Sequence, residues 1–287
     1  MLLVFIFTSF LLSDSLNYYN PLLNKKGLKI NANLKGNFFP SLPSEISPVE
    51  IDLIKSKARE FIPEPVGVDN IIVMETNFGL MKFEIYAESA PKHAYNFKKL
   101  ANSGFYDETI FHRIIPGFMA QGGDILTRDS NKDNDGRGNP GWTVDEEFNN
   151  ISHERGILSM ARSQDVNSAG SQFFICFDNA HHLNNKYTVF GKLLSGYDVL
   201  DKIEKLKSES SYIINKSLDK VPDNANNQYL EFKHQNRKRY IKIPINENKN
   251  KFKDDVTKGL KNIHRTKKPV KIIKVRVNNE NIEENSK

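Results

Sequence analysis

One cysteine, one tryptophan and no long apolar run set the first limits on this 287-residue chain. With Cys176 alone, an intramolecular disulfide is impossible. Its surroundings, Phe173-Phe174-Ile175-Cys176-Phe177, are those of a buried, inert thiol and not of a nucleophile. C-x-x-C and H-E-x-x-H are absent, and of the seven histidines only His181 and His182 are adjacent. No metal and no cofactor is therefore expected. The longest apolar run, Leu2–Leu12, is broken by Thr8 and Ser9. It falls short of the ~20 residues that cross a bilayer, so no transmembrane span is expected there. It has the length of the apolar region of a signal peptide, with a cut near Ser13-Asp14-Ser15. Acidic residues are missing from residues 15–44, which carry Lys25, Lys26, Lys29 and Lys35 among many Asn and Ser. Basic, acid-free and hydroxyl-rich describes a transit peptide. The expectation is a signal peptide over 1–15 and a transit-like or disordered segment over 16–46. Together they predict a two-step route through the secretory pathway into a secondary plastid. Secretion, or retention in the endomembrane lumen, is the alternative.

Charge is unevenly spread. Residues 69–204 hold 13 basic and 19 acidic residues, a net of −6, while 205–287 hold 21 and 10, a net of +11. A basic segment can touch nucleic acid or anionic lipid. Here aromatic interleaving is sparse beyond Tyr229, Phe232 and Tyr240, and no nucleic-acid-binding fold is evident. Solvated lysines in an Asn/Lys-rich chain account for the charge, and no nucleic-acid partner is expected.

Ser47-Pro48-Val49-Glu50 has the form of a helix start, and Ile51, Ile54, Ala58 and Phe61 form a helical stripe that Pro63 and Pro65 end. This predicts a short helix and linker over 47–68. Strands follow at 71–76 and 80–86, turned by Asn77-Phe78-Gly79, and a helix over 91–102 with Ser89 or Ala90 at its cap. Further strands are expected on either side of Pro116-Gly117, at 156–161, 172–176 and 189–193, with a second helix from Gly196 to about Leu206. Residues 128–141 read as a loop. Many short strands and two helices argue for a mainly β fold, a closed antiparallel barrel capped by helices. Residues 207–266 are basic and rich in Asn and Lys. They are read as an insertion holding a hairpin (228–233 with 237–245) and a short helix near 251–263 weakened by Gly259. Residues 269–277 then supply the last strand. The barrel-forming region is thus placed at 69–206 plus 267–278, followed by a tail over 279–287. An insertion of this length is tolerable because loop-closure entropy grows slowly.

Two runs carry the chemistry: Phe111-His112-Arg113-Ile114-Ile115-Pro116-Gly117-Phe118-Met119-Ala120-Gln121-Gly122-Gly123-Asp124 and Gly170-Ser171-Gln172-Phe173-Phe174-Ile175-Cys176. They bring one cation, amides, a methionine and phenylalanines towards a shared pocket. Such a set can hold a proline ring and loosen its peptide bond without a nucleophile. Rotation about a peptide bond faces ~18–20 kcal/mol, set by resonance. Before proline the cis and trans forms differ by only ~0.5–1 kcal/mol. A catalyst need only bind the twisted state better than the planar ones. In that state the proline nitrogen becomes an acceptor, and a guanidinium such as that of Arg113 can donate to it.

These residues resemble the cyclophilin family of peptidyl-prolyl cis–trans isomerases. Residues 111–124 resemble its signature almost unbroken, and 156–161, 170–176 and 189–192 resemble its next blocks. The resemblance covers residues 70–206 and the last strand. It implies a closed eight-stranded antiparallel barrel capped by two helices. It also implies proline-containing polypeptides as clients, a monomer, and a role in protein folding. By similarity Arg113, Phe118 and Gln121 are catalytic. Met119, Phe174 and Leu183 join Phe118 in the proline pocket, and Ala161, Arg162 and Gln172 line the groove, flanked by His112 and Ile115. His182 and Tyr187 stand at the rim, where family members that bind cyclosporin well often carry Trp and His. Arg162 replaces a frequent Asn. These departures imply retained turnover with weak cyclosporin binding. The alternative is a proline-motif-binding module or scaffold with weak activity. His112 reads as a hydrogen-bonded structural group in preference to an acid or base, Asp124 and Gly122-Gly123 read as parts of the turn, and Trp142 has no role in this reading.

Overall fold

Apolar–polar alternation in β1 (Asn70–Thr76) and β2 (Gly79–Ile85) folds them into an antiparallel hairpin, with Thr76 opposite Gly79 at its turn. The computed structural model describes residues 46–279, except 130, 224–226, 235, 245–246 and 263. The expected signal peptide, the transit-like segment up to residue 45 and the tail from residue 280 lie outside the described residues. Six further strands complete the sheet: β3 (Arg113–Ile115), β4 (Met119–Gly122), β5 (Ile157–Met160), β6 (Phe173–Cys176), β7 (Val189–Ser195) and β10 (Ile272–Asn279). Their order is β10-β1-β2-β7-β5-β6-β4-β3, and every ladder is antiparallel.

The sheet curls around an apolar interior but is not closed by a strand ladder, in contrast to the expected barrel. Between its edges lie one isolated bridge, Ile110 with Lys271, and single backbone bonds such as Phe111 N to Val270 O (2.9 Å) and Ile272 N to Thr109 O (2.8 Å). The physical reason is the irregular path of residues 264–271. It offers β3 only the His264 carbonyl, which accepts from Ile114 N at 2.7 Å.

The interior holds an aromatic cluster. Phe173 meets Phe97, Tyr106 and Phe111 edge-on at 5.5, 5.4 and 6.0 Å between centroids. Such edge-to-face contacts suit the ring quadrupole and add to the burial of large apolar area. Helix α1 (Pro48–Glu60) starts with a capping box between Ser47 and Glu50 and buries Ile51 and Ala58 in the same core. Helix α2 (Pro91–Asn102) has Ala90 at its cap and no capping side chain of its own. Glu147, distant in sequence, replaces it by accepting from Lys92 N (3.1 Å) and His93 N (3.0 Å). A carboxylate there also meets the positive end of the helix dipole. Trp142 gains a role: its Nε1 donates to Asn96 Oδ1 at 2.8 Å, while Asn96 Nδ2 donates to Gly170 O, pinning the loop to α2.

After α3 (Tyr197–Glu204) the chain forms α4 (Glu209–Lys216), the hairpin β8 (Tyr229–His234) and β9 (Arg237–Lys242), and α5 (Lys249–Lys261). These enclose a small core of Leu230, Ile241, Ile243 and Val256. Helix α4 is absent from the sequence reading because Ser, Tyr and Asn interrupt its apolar pattern. It is fixed by Ser208, whose Oγ accepts from Ser211 N, and by packing on α5. Gly259 is the point of contact: a Cβ there would lie 2.5 Å from Ile213 Cδ1. The glycine that weakens α5 as an isolated helix lets α4 approach it.

Candidate active site

The register of β3, β4 and β6 builds the site. Arg113 stands opposite Gln121, and Gln121 opposite Phe174. Side chains that point the same way across neighbouring strands then form a row. Arg113 Nη1 donates to Gln121 Oε1 at 3.3 Å, and Gln121 Nε2 donates to Gln172 Oε1 at 2.9 Å. Gln172 Nε2 in turn donates to the carbonyls of Gly136 (3.0 Å) and Gly138 (2.9 Å). That loop is held by Asp124, a fully buried carboxylate that accepts from Leu126 N at 2.8 Å and from Gly136 N. Burial raises the Asp124 pKa, and the backbone donors of Leu126, Gly138, Gly136 and Arg137 oppose the rise. A network of five groups therefore fixes the guanidinium, starting from the last residue of the first run.

Beside this row lies an apolar cluster distinct from the main core. Met119, Ile157, Phe174, Cys176, Ala180 and Val189 are buried in it, and Ile115, Phe118, Ala161, Leu183 and Tyr187 pack around them half-buried. The alternation of 173–177 separates the two faces: Phe173, Ile175 and Phe177 enter the main core, Phe174 and Cys176 this one. Cys176 is inaccessible, and burial pushes its thiol up to about 12, so it has no thiolate to offer near neutral pH. Phe118 is positioned by the Pro116-Gly117 turn. Gly117 N donates to Glu204 Oε1 at 2.9 Å, and Arg155 ties Glu204 to the Phe177 carbonyl.

The rim residues divide. The His182 ring lies against Phe118, 5.5 Å between centroids and tilted by 31°. Tyr187 meets Phe174 edge-on at 5.8 Å. Arg162 folds over Tyr187 with Cζ 4.7 Å from the ring centre, and its donors go to the carbonyls of Lys186, Ser163 and Gln164. Its side chain is engaged locally. Ala161 N donates to Gln172 O at 2.9 Å, which joins the groove wall to the amide row. His112, one residue before β3, is nearly buried, with Nδ1 unpaired among the described residues. Burial first, and then the charges of Arg265 and Arg113, lower its pKa to about 4, so it is neutral at pH 7.

The family model described as cyclophilin type peptidyl-prolyl cis-trans isomerase/CLD matches residues 71–224, more than half of the chain. The chain belongs to the cyclophilin-type peptidyl-prolyl cis–trans isomerases. A probable peptidyl-prolyl cis-trans isomerase of Brucella abortus is 42% identical over 158 residues, which are 53% of this chain and 80% of the relative. A peptidyl-prolyl cis-trans isomerase of Arabidopsis thaliana is 44% identical over 144 residues, 48% of this chain and 84% of that one. A crystal structure of a Cryptosporidium parvum cyclophilin-type isomerase, obtained in the presence of the dipeptide Ala-Pro, superposes with a TM-score of 0.50 at 28% identity. It covers 72% of this chain and 98% of that protein.

Two groups of site residues escaped the sequence reading of this cyclophilin. His153 is fully buried under the pocket and stacks on Phe174 at 5.9 Å and 14°. Its ring nitrogens pair with Asn184 Oδ1 and Ser159 Oγ, both at 3.0 Å, so it holds the 181–188 loop to β5. No spacing signal marks it, because its partners are brought together only by the fold. The second group is Lys261, Asn262, His264 and Arg265 of the insertion, which line one cavity with Arg113. Among the described residues no group of His, Cys, Asp or Glu could hold a metal ion, and no helix is long and apolar enough to cross a membrane.

Proposed function

We propose that this cyclophilin accelerates rotation of X-Pro bonds by non-covalent stabilisation of the twisted amide. The observation that carries the reading is the Arg113–Gln121–Gln172 row lying directly beside the Phe118/Met119/Phe174/Leu183 cluster. The cluster takes the proline ring. Arg113, held by Gln121, donates to the proline nitrogen as its lone pair localises, and Gln121 and Gln172 hold the flanking peptide. The half-buried guanidinium is partly desolvated, which strengthens a charge-assisted donation made mainly in the transition state. No proton is transferred and no bond is made or broken. A protease-coupled isomerisation assay of the full chain, with Arg113→Ala beside it, tests the reading.

The reading extends to a monomer that assists folding of proline-containing clients and binds cyclosporin weakly. His182 supplies no indole N–H at the rim and less apolar area than tryptophan. Half-inhibition of turnover is expected only at drug concentrations far above that of the enzyme. Stoichiometric inhibition at nanomolar drug would contradict this. We place the site of action beyond the secretory pathway, in a secondary plastid, on the apolar run 2–12 and the acid-free basic stretch 15–44. A fluorescent protein fused after residue 68 should leave the cytosol. Cytosolic fluorescence would sink both this route and the endomembrane alternative.

A further inference from the structure

We propose that the insertion adds a carboxylate-binding subsite to the substrate groove, so that this enzyme favours clients with an acid near the isomerised proline. The inference rests on the assignment of Arg113 and Gln121 to the peptide groove. A cavity of about 280 Å³ opens on the side of these two residues, and its far wall is made by Lys261, Asn262, His264 and Arg265. The wall is docked firmly. Ile114 N donates to the His264 carbonyl at 2.7 Å, and Arg265 forms an ion pair with Asp135 of the loop that carries Gly136.

The lining is cationic. Arg113, Lys132, Lys261 and Arg265 face one acid, Asp135, and two histidines, His112 and His264. Lys132 is partly offset by Glu209 at 3.4 Å. Arg265 is the informative group. It is only 8% exposed, and while it pairs with Asp135, its Nη1 is buried with no hydrogen-bond partner among the described residues. Leaving a buried charged donor unpaired is costly, and an anion in the cavity would satisfy it. The cavity adjoins the groups assigned to the peptide, so the anion that suits it is a carboxylate on the bound polypeptide: an acidic side chain, or the chain's own terminus. A fork of guanidinium donors matches that group.

The test uses the full chain and Ala-based hexapeptides around a central Ala-Pro, blocked at both ends. Glu, Gln or Lys is placed singly at each position within two residues of that pair. An unsubstituted peptide with a free C-terminal carboxylate distinguishes a terminal from a side-chain acid. NMR titration reads affinity and exchange spectroscopy reads turnover. Glu at one position, or the free terminus, is expected to bind about tenfold tighter than its neutral counterpart, with Lys weakest. That advantage should fall below about threefold in Lys261→Glu, whose side chain is exposed, and in Arg265→Gln. Equal affinity for Glu and Gln at every position and for both termini would overturn the subsite. So would an advantage that survives both substitutions. Absent exchange of the all-Ala peptide would overturn the catalytic reading alone, since affinity still decides the subsite.

Discussion

Arg113→Ala is expected to lower kcat/KM for an Ala-Pro peptide by ~10²–10³-fold, the range for removing one preorganised donor to a developing charge. The loss should fall on kcat, with peptide affinity changed little. In the proposed mode the proline ring sits against the cluster of Phe118, Met119, Phe174 and Leu183, which packs without the guanidinium. Arg113→Lys should recover little of the rate. A lysine is a point charge without the planar fork that both contacts Gln121 and reaches beyond it. The same variant separates an enzyme from a proline-motif-binding module. If turnover falls less than about threefold, the guanidinium is not acting on the twisted state, since removal of such a donor costs far more. If turnover collapses while a client's capture and cellular effect persist, binding is the working function.

Stability should fall steeply as the pH drops from 7 to 4, and buried histidines supply the first part of the fall. His93, His112 and His153 all have pKa values lowered by burial. For His93 a hydrogen bond donated to the Glu147 carboxylate opposes the shift, and for His153 one donated to Asn184 Oδ1 does so. Each is therefore neutral in the fold and takes up a proton more readily when unfolded. The unfolded chain binds more protons, so stability is fully present above about pH 6.5 and is lost as pH falls through the folded values. For His112, whose folded value is about 4, the loss reaches about 3 kcal/mol. Urea midpoints measured between pH 7.5 and 4 check this. The His112→Asn variant should show a flatter profile between pH 6.5 and 5, above the range where most carboxylates titrate. A wild-type midpoint that is constant down to pH 5 would contradict the assignment.

The strands were readable because each has one face in an apolar core and one outside it. In 173–177 alternation assigned Phe174 to the pocket, and it belongs to the apolar cluster beside Arg113. Helix α1 was readable from its Ser47 cap, Pro48 and apolar stripe, and the structure adds the reciprocal bond of Glu50, three residues on. What could not be read depends on partners far apart in sequence. Glu147 caps α2 from more than fifty residues away. His153 carries no local signal, because Asn184 and Ser159 reach it through the fold. The insertion was legible as a change of composition, yet its charge gave no hint that Lys261, Asn262, His264 and Arg265 would line a cavity with Arg113. Closure of the sheet was expected from the many short strands and two helices as well as from the resemblance, and only the structure shows how sparse the bonding between its edges is.

The pairing of β1 with β10 has a consequence for synthesis. Val73 meets Arg276 and Met74 meets Val275, so the first strand of the sheet waits for the last. During translation the ribosome must deliver some two hundred intervening residues, the whole insertion among them, before that ladder can form. At ~5–20 residues per second the nascent chain carries an unpaired edge on β1 for roughly ten seconds or more. Such an edge is open to intermolecular strand pairing. The sheet is thus a late finisher, its first strand uncovered on one edge until the C-terminal strand emerges.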